Sequence, residues 1–170
     1  MNTAPTISLR AMEPEDLDLL YTLENYQELW EVGCTNVPFS RYALTDYLAN
    51  TTYDIYKDLQ VRLIIENEEH RVVGIIDLTS FDPKHQRAEL GIVILKDLRQ
   101  QGYATAAIEA ISTYALHTLH LNQLYAIISE TNQASLNLFR KAGFTDDTTL
   151  HNWLYDGKNY HNAIVAQKFL

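Results

Sequence analysis

The segment DLRQQGYATAAIEA, residues 97–110, places one glycine, Gly102, between a polar turn and an alanine-rich stretch of helical composition. Glycine is costly in chain entropy, so a turn that keeps one before a helix needs an unusual backbone shape. Amides that converge at a helix N-terminus bind anions, and the helix dipole adds about half a positive charge there. We therefore predict a phosphate cradle, with an ordinary strand-to-helix turn as the alternative. The predicted cradle consists of Arg99, Gln100, Gln101, Gly102, Tyr103, Ala104 and Thr105.

Two segments on either side of the cradle strengthen the first interpretation. RAELGIVIL, residues 87–95, has the pattern of a buried strand, and NQASLNLFRKAGF, residues 132–144, has the pattern of a capped helix that ends at glycine. With the cradle between them, they resemble the core of the GNAT superfamily of acetyl-CoA-dependent N-acetyltransferases. The residues that match the motifs of this family are Arg99, Gly102, Ala104, Asn132, Ser135, Gly143 and Phe144.

The resemblance implies acetyl-CoA as cosubstrate and no metal. In the family, the pantetheine arm lies between two splayed strands and pairs with one of them, which here places it against Ile92, Val93 and Ile94. Asn132 and Ser135 would then line the far wall beside the thioester. The branches that the chain resembles are the spermidine N-acetyltransferase-like and the ribosomal-protein N-acetyltransferase-like ones.

Lys141 is a further candidate, because it would reach the nucleotide phosphates from the end of its helix. A basic residue in a last helical turn also complements the helix dipole, and this alternative stays open.

Transfer to an amine requires a proton acceptor, since the ammonium ion, with an ordinary pKa near ~10, does not attack a thioester. The resemblance favours Glu89, at the start of the predicted coenzyme strand, acting through a bound water. A structural carboxylate paired with Arg87 or with a helix start is the alternative.

The residue matching the general-acid tyrosine of many family members is Phe139, which has no proton to donate. Ser135, a nearby tyrosine or water remain as substitute donors.

The charge of the chain bears on its partners. Thirteen basic and twenty-two acidic residues give a formal net charge of −9 without long like-charge runs, which argues against nucleic-acid or membrane binding and suits a cationic substrate or simple solubility. In the segment WEVGCTNVPFS, residues 30–40, Asn36 and Val37 stand where the polyamine-specific relatives have two adjacent glutamates. Glu28 and Glu31 lie nearby and either attract an ammonium group or are solvated surface charges. Polyamines, small amines and peptide amino groups are therefore all candidate substrates.

The elements that must position these residues form one predicted domain, residues 1–170. Strand-like and helical patterns alternate as β, α, α, β, β, β, α, β, α, β, β, which predicts an α+β, GNAT-like fold. We expect a mixed, mostly antiparallel sheet of six to seven strands, flanked by four helices. The strand patterns cover residues 6–12, 59–67, 71–81, 87–95 and 123–129, with a final pair over residues 151–169 around the turn at 156–157.

Two hypotheses follow: an N-acetyltransferase acting on a primary amine, or a coenzyme A binding module with little turnover. Cys34 is alone and forms no internal disulfide, and the N-terminus has no signal-like run. These features predict a cytoplasmic location. The exposed final strand pair allows a homo-oligomer without requiring one.

Overall fold

A computed structural model describes residues 4–30 and 37–170 and contains one mixed sheet over them. Its strand order is β1-β2-β3-β4-β5-β7-β6, and only the β4–β5 neighbours among the described strands are parallel. The predicted fold class and strand number are therefore confirmed, although the sixth strand begins before its predicted start. The strands are β1 (Ile7–Ala11), β2 (Val61–Asn67), β3 (Val72–Asp82), β4 (Arg87–Ile94), β5 (Gln123–Ser129), β6 (Thr145–Tyr155) and β7 (Tyr160–Phe169).

The helices outnumber the four that the sequence predicts. Two additional pieces, α2 and α4, are single turns of four residues, too short to show the apolar repeat by which a helix is recognised. The helix α4 begins at an Asp54 side chain that accepts a hydrogen bond from the amide of Tyr56, and ends at Leu59 with a φ of 53°. The helices are α1 (Leu17–Glu24), α2 (Gln27–Trp30), α3 (Arg41–Asn50), α4 (Ile55–Asp58), α5 (Tyr103–His117) and α6 (Gln133–Lys141).

Two apolar clusters show toward which side each strand residue points. The larger cluster joins Leu90 and its neighbours to α5 and α6, whereas the smaller one joins Ile64 and Ile75 to α1 and α3. Side chains alternate between the two faces of a strand. Glu89 and Gly91, on either side of Leu90, therefore lie on the face that α1 and α3 cover, here called the α1/α3 face.

The strands β4 and β5 separate soon after they meet. Their parallel pairing joins 87–89 to 123–125 and stops there. Beyond Glu89, β4 continues to pair with β3 on its other side up to Ile94. A V-shaped opening is therefore left in the middle of the sheet, with its apex at Glu89 and an unpaired edge of β4 along one arm.

The pairing of β3 with β4 depends on Gly74. A Cβ atom at this position would lie 2.2 Å from the carbonyl oxygen of Val93 and 3.0 Å from a side-chain carbon of Ile94. A Cβ atom cannot lie 2.2 Å from a carbonyl oxygen. The close contact between β3 and β4 at this point is therefore possible because residue 74 has no side chain.

We expect Gly74→Ala to lower the free energy of unfolding by at least about 2 kcal/mol, because the added methyl group forces β4 away from β3. Urea denaturation of the variant measures this loss. Gly91→Ala is the matched control, since its Cβ would lie 3.8 Å from the nearest atom, in Asp77. A change below about 1 kcal/mol is expected for the control. Equal denaturation midpoints for the two variants would contradict this account.

Candidate functional site

The opening between β4 and β5 holds a cavity of about 140 Å³. Residues of the two separating strands form two of its walls, and one side of α6 forms another. Ile92, Asn132 and Ser135, all predicted coenzyme contacts, line it. Val93 and Ile94 follow Ile92 on the same unpaired edge of β4. The lining residues are Leu90, Gly91, Ile92, Ala126, Ile127, Ile128, Ser129, Asn132, Ser135 and Phe139.

The predicted cradle lies just beyond the carboxyl end of β4 and leads into α5. Gly102 is the N-cap of the helix with a φ of 88°, in the left-handed region that favours glycine, and Gln100 also has a positive φ of 62°. The first helical hydrogen bond runs from the amide of Ala106 to the carbonyl of Gly102. Within residues 4–30 and 37–170, no group accepts a hydrogen bond from the amides of residues 100–105. Six successive donors are therefore free to bind an anion.

Arg99 has a different place from the other cradle residues. Its amide donates to the carbonyl of Lys96, and its Nε donates to the carbonyl of Ile94 over 3.1 Å. The Gln101 side chain closes the same turn by donating to the carbonyl of Asp97. Arg99 thus fixes the end of β4 to the turn, so that the cradle and the unpaired strand edge keep one relative position.

At the start of α6, Asn132 and Ser135 are joined by a capping hydrogen bond. The Asn132 side chain accepts from the Ser135 amide at 3.1 Å, which satisfies one free amide of the helix start. Because β5 leads directly into this helix, both residues lie at the wide end of the V. Phe139 lies about two helical turns further along, toward the apex.

Lys141 is exposed in the last turn of α6, at the opposite end from the wide mouth of the V. Its neighbour Arg140 is bound to Asp146, with Nε and one terminal nitrogen 2.9 and 2.5 Å from the same carboxylate oxygen. The place of Lys141 in the last turn fits the alternative role, in which basic residues complement the helix dipole.

Glu89 is half-buried at the apex of the V. Burial raises the pKa of its carboxyl group above the ordinary value of 4.5, and a hydrogen bond with the Ser80 side chain opposes part of that shift. Among the described residues, Arg87 pairs with Asp82 at 3.3 Å and not with Glu89. The carboxylate is therefore not held by the arginine that the sequence offered as a structural partner, and its raised pKa suits a proton acceptor.

Sequence reasoning missed a charged cluster beside Glu89. Nε and a terminal nitrogen of Arg62 donate to the two carboxylate oxygens of Asp77 over 2.8 and 3.0 Å, and a third nitrogen donates to Glu24 over 2.5 Å. The signal lay in the consecutive strand patterns at 59–67 and 71–81, because pairing of β2 with β3 places Arg62 opposite Asp77. The cluster contains two carboxylates and one guanidinium, so it carries one net negative charge.

Gly91 leaves an opening between this cluster and the cavity. It lines the cavity, and it is paired with Asp77 across β3 and β4. A Cβ atom at Gly91 would lie 3.9 Å from a carboxylate oxygen of Asp77, so any larger side chain would cover that oxygen. The α1/α3 face beside the cavity therefore presents Asp77 and Glu89, and both favour a cationic group.

A sheet whose two parallel strands diverge beside a free-amide helix start, with a half-buried carboxylate at the apex, has the architecture of an acyl-coenzyme A acyltransferase. Residues 6–145 match the family model described as an acetyltransferase (GNAT) domain. The chain belongs to this family of acetyltransferases.

Named relatives cover almost all of the chain. The spermidine N(1)-acetyltransferase of Escherichia coli (strain K12) is 27% identical over 166 residues, which is 96% of this chain and 86% of that protein. The provisionally assigned ribosomal N-acetyltransferase YdaF of Bacillus subtilis (strain 168) is 27% identical over 165 residues, with 93% and 88% covered.

Solved structures show the same fold. Spermidine N-acetyltransferase from Vibrio cholerae in complex with CoA and spermine superimposes with a TM-score of 0.87 at 20% identity, over 96% of this chain and 95% of that one. A dodecameric structure of the Vibrio cholerae enzyme gives a TM-score of 0.80 at 22% identity, with 96% and 93% covered.

Some sequence predictions fall elsewhere. Glu31, Cys34 and Asn36 lie outside the described residues, and Glu28 falls in α2. In the described part of the chain, no three His, Cys, Asp or Glu side chains gather as metal ligands would. No helix there is long and apolar enough to cross a bilayer.

Arg62→Gln should lower the free energy of unfolding by about 2 kcal/mol, because it leaves Glu24 and Asp77 without their shared cation. The loss of one partner of a fully buried pair costs about 3–5 kcal/mol, and this cluster retains some contact with water. Urea denaturation measures the effect. Arg41→Gln, which breaks an exposed pair with Asp18, is the control and should change stability by less than about 1 kcal/mol. If both variants unfolded alike, Arg62 would not be the cation that holds the cluster.

Proposed function

We propose that the protein transfers the acetyl group of acetyl-CoA directly to a primary amine. The observation that carries this proposal is the open V between β4 and β5, with six free amides beyond one end and a half-buried carboxylate at the other. The amides of residues 100–105 suit the coenzyme phosphates. The unpaired edge of β4 at Ile92, Val93 and Ile94 suits the amide groups of a pantetheine arm, which adds to the sheet like a further strand.

Glu89 is proposed as the proton acceptor. An amine arrives in neutral water mainly as ammonium, since its ordinary pKa is near ~10, and must lose a proton before it attacks. A carboxylate at the apex of the V, directly or through one water, takes this proton. The negative charge of the Arg62, Asp77 and Glu24 cluster attracts the ammonium to the same face.

A polyamine is the first candidate among the acceptor substrates. The acidity of the α1/α3 face supports it, as do the named activities of the enzymes from Escherichia coli and Vibrio cholerae. Small amines and peptide amino groups are the other candidates. A peptide has only one ammonium group at its terminus. It therefore gains less electrostatic attraction than a polyamine from the two acidic groups of this face, Glu89 and the Arg62, Asp77 and Glu24 cluster.

The first experiment measures thiol release from acetyl-CoA in the presence of spermidine, spermine, an aminoglycoside or a short peptide. We expect release that depends on the amine and is fastest with polyamines. If every amine fails while acetyl-CoA still raises the melting temperature, the chain binds the coenzyme without transferring its acetyl group. Phe139, in place of a tyrosine, is the observation that favours this second function.

The pH profile tests Glu89. In the wild-type enzyme, kcat/KM should fall as the pH drops through the pKa of Glu89, at a pH above 4.5, and should level off above it. Glu89→Gln should lower kcat/KM about 10²–10⁴-fold. In this variant, kcat/KM should keep rising with pH above the pKa of Glu89 instead of levelling off, because only amine already deprotonated by solvent can then react. Glu109→Gln, on the exposed side of α5, is the control with an unchanged profile. A Glu89→Gln profile of the wild-type shape would exclude Glu89 as the base.

A second prediction concerns the cradle. Gly102→Asp should abolish acetyl-CoA binding, because it puts a carboxylate against the proposed phosphate site. Any side chain here is strained by the φ of 88° and approaches Pro5 at 3.0 Å. Gly102→Ala is therefore the matched control: it shares the strain without the charge and should retain part of the affinity. Isothermal titration with acetyl-CoA separates the two, and undiminished binding by Gly102→Asp would place the phosphates elsewhere.

We also propose that the chain self-associates through its last two strands. The edge strand β6 exposes large aromatic side chains, with Trp153 58% and Tyr155 60% accessible, and Tyr160 on β7 stacks against Tyr155. Exposed apolar edges of this kind are normally covered. Sedimentation measurements that compare the mass of the wild type with that of Trp153→Lys test this proposal.

We also propose a cytoplasmic location.

A further inference from the structure

Tyr125 occupies the apex of the V opposite Glu89. The two residues are partners in the short parallel ladder between β4 and β5. Leu124 and Ala126, on either side of Tyr125, belong to the core under α5 and α6. Because side chains alternate along a strand, Tyr125 points to the α1/α3 face, the same face as Glu89. A carboxylate and a phenol therefore stand side by side where the two strands separate.

The reacting thioester belongs at this apex. The proposed phosphate site lies beyond the carboxyl end of β4, so a coenzyme arm that pairs with β4 must run from Ile94 back toward Glu89. The cavity between the strands ends at Leu90 and Ala126, the residues that directly follow the last pair of the ladder, Glu89 and Tyr125. The end of the arm, which bears the sulfur and the acetyl carbonyl, is thus brought to these two side chains.

Of the described residues that line the cavity, neither Phe139 nor Ser135 supplies an acid at this place. Phe139 is 3% exposed and packs edge to face on Phe144 with ring centres 4.9 Å apart. It contributes an apolar wall and no proton. Ser135 belongs to the wide end of the V, more than a helical turn from Phe139 along α6.

We infer that Tyr125 is the general acid that protonates the departing sulfur. This inference rests on the proposed transferase function. The ammonium first gives a proton to Glu89, which passes it to water. The freed amine nitrogen then forms a bond with the acetyl carbon and gives a second proton to Glu89. The bond between that carbon and the sulfur breaks, and the sulfur takes both bonding electrons and the phenolic proton of Tyr125. Glu89 then returns its proton through water to Tyr125, so that the products are the acetylated amine, the free thiol of coenzyme A and the one proton released from the ammonium.

The placement of the two groups separates their tasks. Glu89 and Tyr125 are neighbours across the ladder, so one can serve the attacking nitrogen and the other the leaving sulfur of the same carbon atom. A tyrosine at position 139 would approach the sulfur from α6, across the cavity. Tyr125 approaches it from β5, and this difference accounts for a phenylalanine at position 139 in an enzyme that still turns over.

The test compares Tyr125→Phe with the wild type in the thiol-release assay, using the best amine found there. We expect kcat to fall about 10²–10⁴-fold, the range typical for loss of a general acid, while the Kd for acetyl-CoA changes less than threefold. Tyr56→Phe, at an exposed position on α4, is the control with unchanged kcat. The double variant Tyr125→Phe with Phe139→Tyr should regain at least tenfold, because it supplies a phenol from the other wall.

Each result decides the matter. A Tyr125→Phe enzyme with kcat within threefold of the wild type would overturn the inference while leaving the transferase function intact. If the double variant recovered none of the kcat lost in Tyr125→Phe, the inference would also be overturned. Such a result would assign the loss to altered packing at the apex. If the wild type released no thiol with any amine, the transferase proposal itself would fail, and the role of Tyr125 with it.

Discussion

The short parallel ladder between β4 and β5 is the constraint on which the site depends. Three residue pairs hold the two halves of the sheet together, and the strands diverge immediately afterwards. Full pairing would satisfy the backbone groups of both strands, but it would leave no room for a ligand. The backbone N–H and C=O groups on the unpaired edge of β4 therefore need hydrogen-bond partners from outside the sheet. An extended molecule with amide groups can supply them as a further strand would.

Much of this arrangement was accessible from the sequence because its signals are local. The turn with Gly102, the cap at Asn132 and the alternation around Glu89 each depend on a few neighbouring residues, and the structure has the expected helices and strands there. The two single-turn helices were missed because four residues show no periodicity. The cluster around Arg62 depends instead on Glu24, which is 38 residues away in the chain, and no local pattern reports such a contact.

The arrangement of charge separates the two ends of the site. Free amides and a helix dipole favour anions at the carboxyl end of β4, whereas carboxylates dominate the α1/α3 face near its start. Along one strand the electrostatic preference thus changes sign. In the proposed reaction, the phosphates of the coenzyme are drawn to the first region and the ammonium group of the amine to the second. The burial that raises the pKa of Glu89 occurs in the second of these regions, at the start of β4.

The β4–α5–β5 connection gives the anion site a topological origin. Among the described strands it is the one connection between hydrogen-bonded neighbours that run in the same direction, so the intervening helix must start beyond the end of the first strand and travel back. Chain direction therefore places the free amides of residues 100–105 beyond the carboxyl end of β4. A rearranged chain with new termini in the turn between β6 and β7 would keep this unit uninterrupted. The two diverging strands and the free amides thus lie in one contiguous stretch of 43 residues, from Arg87 to Ser129, and α6 adds the remaining wall of the cavity.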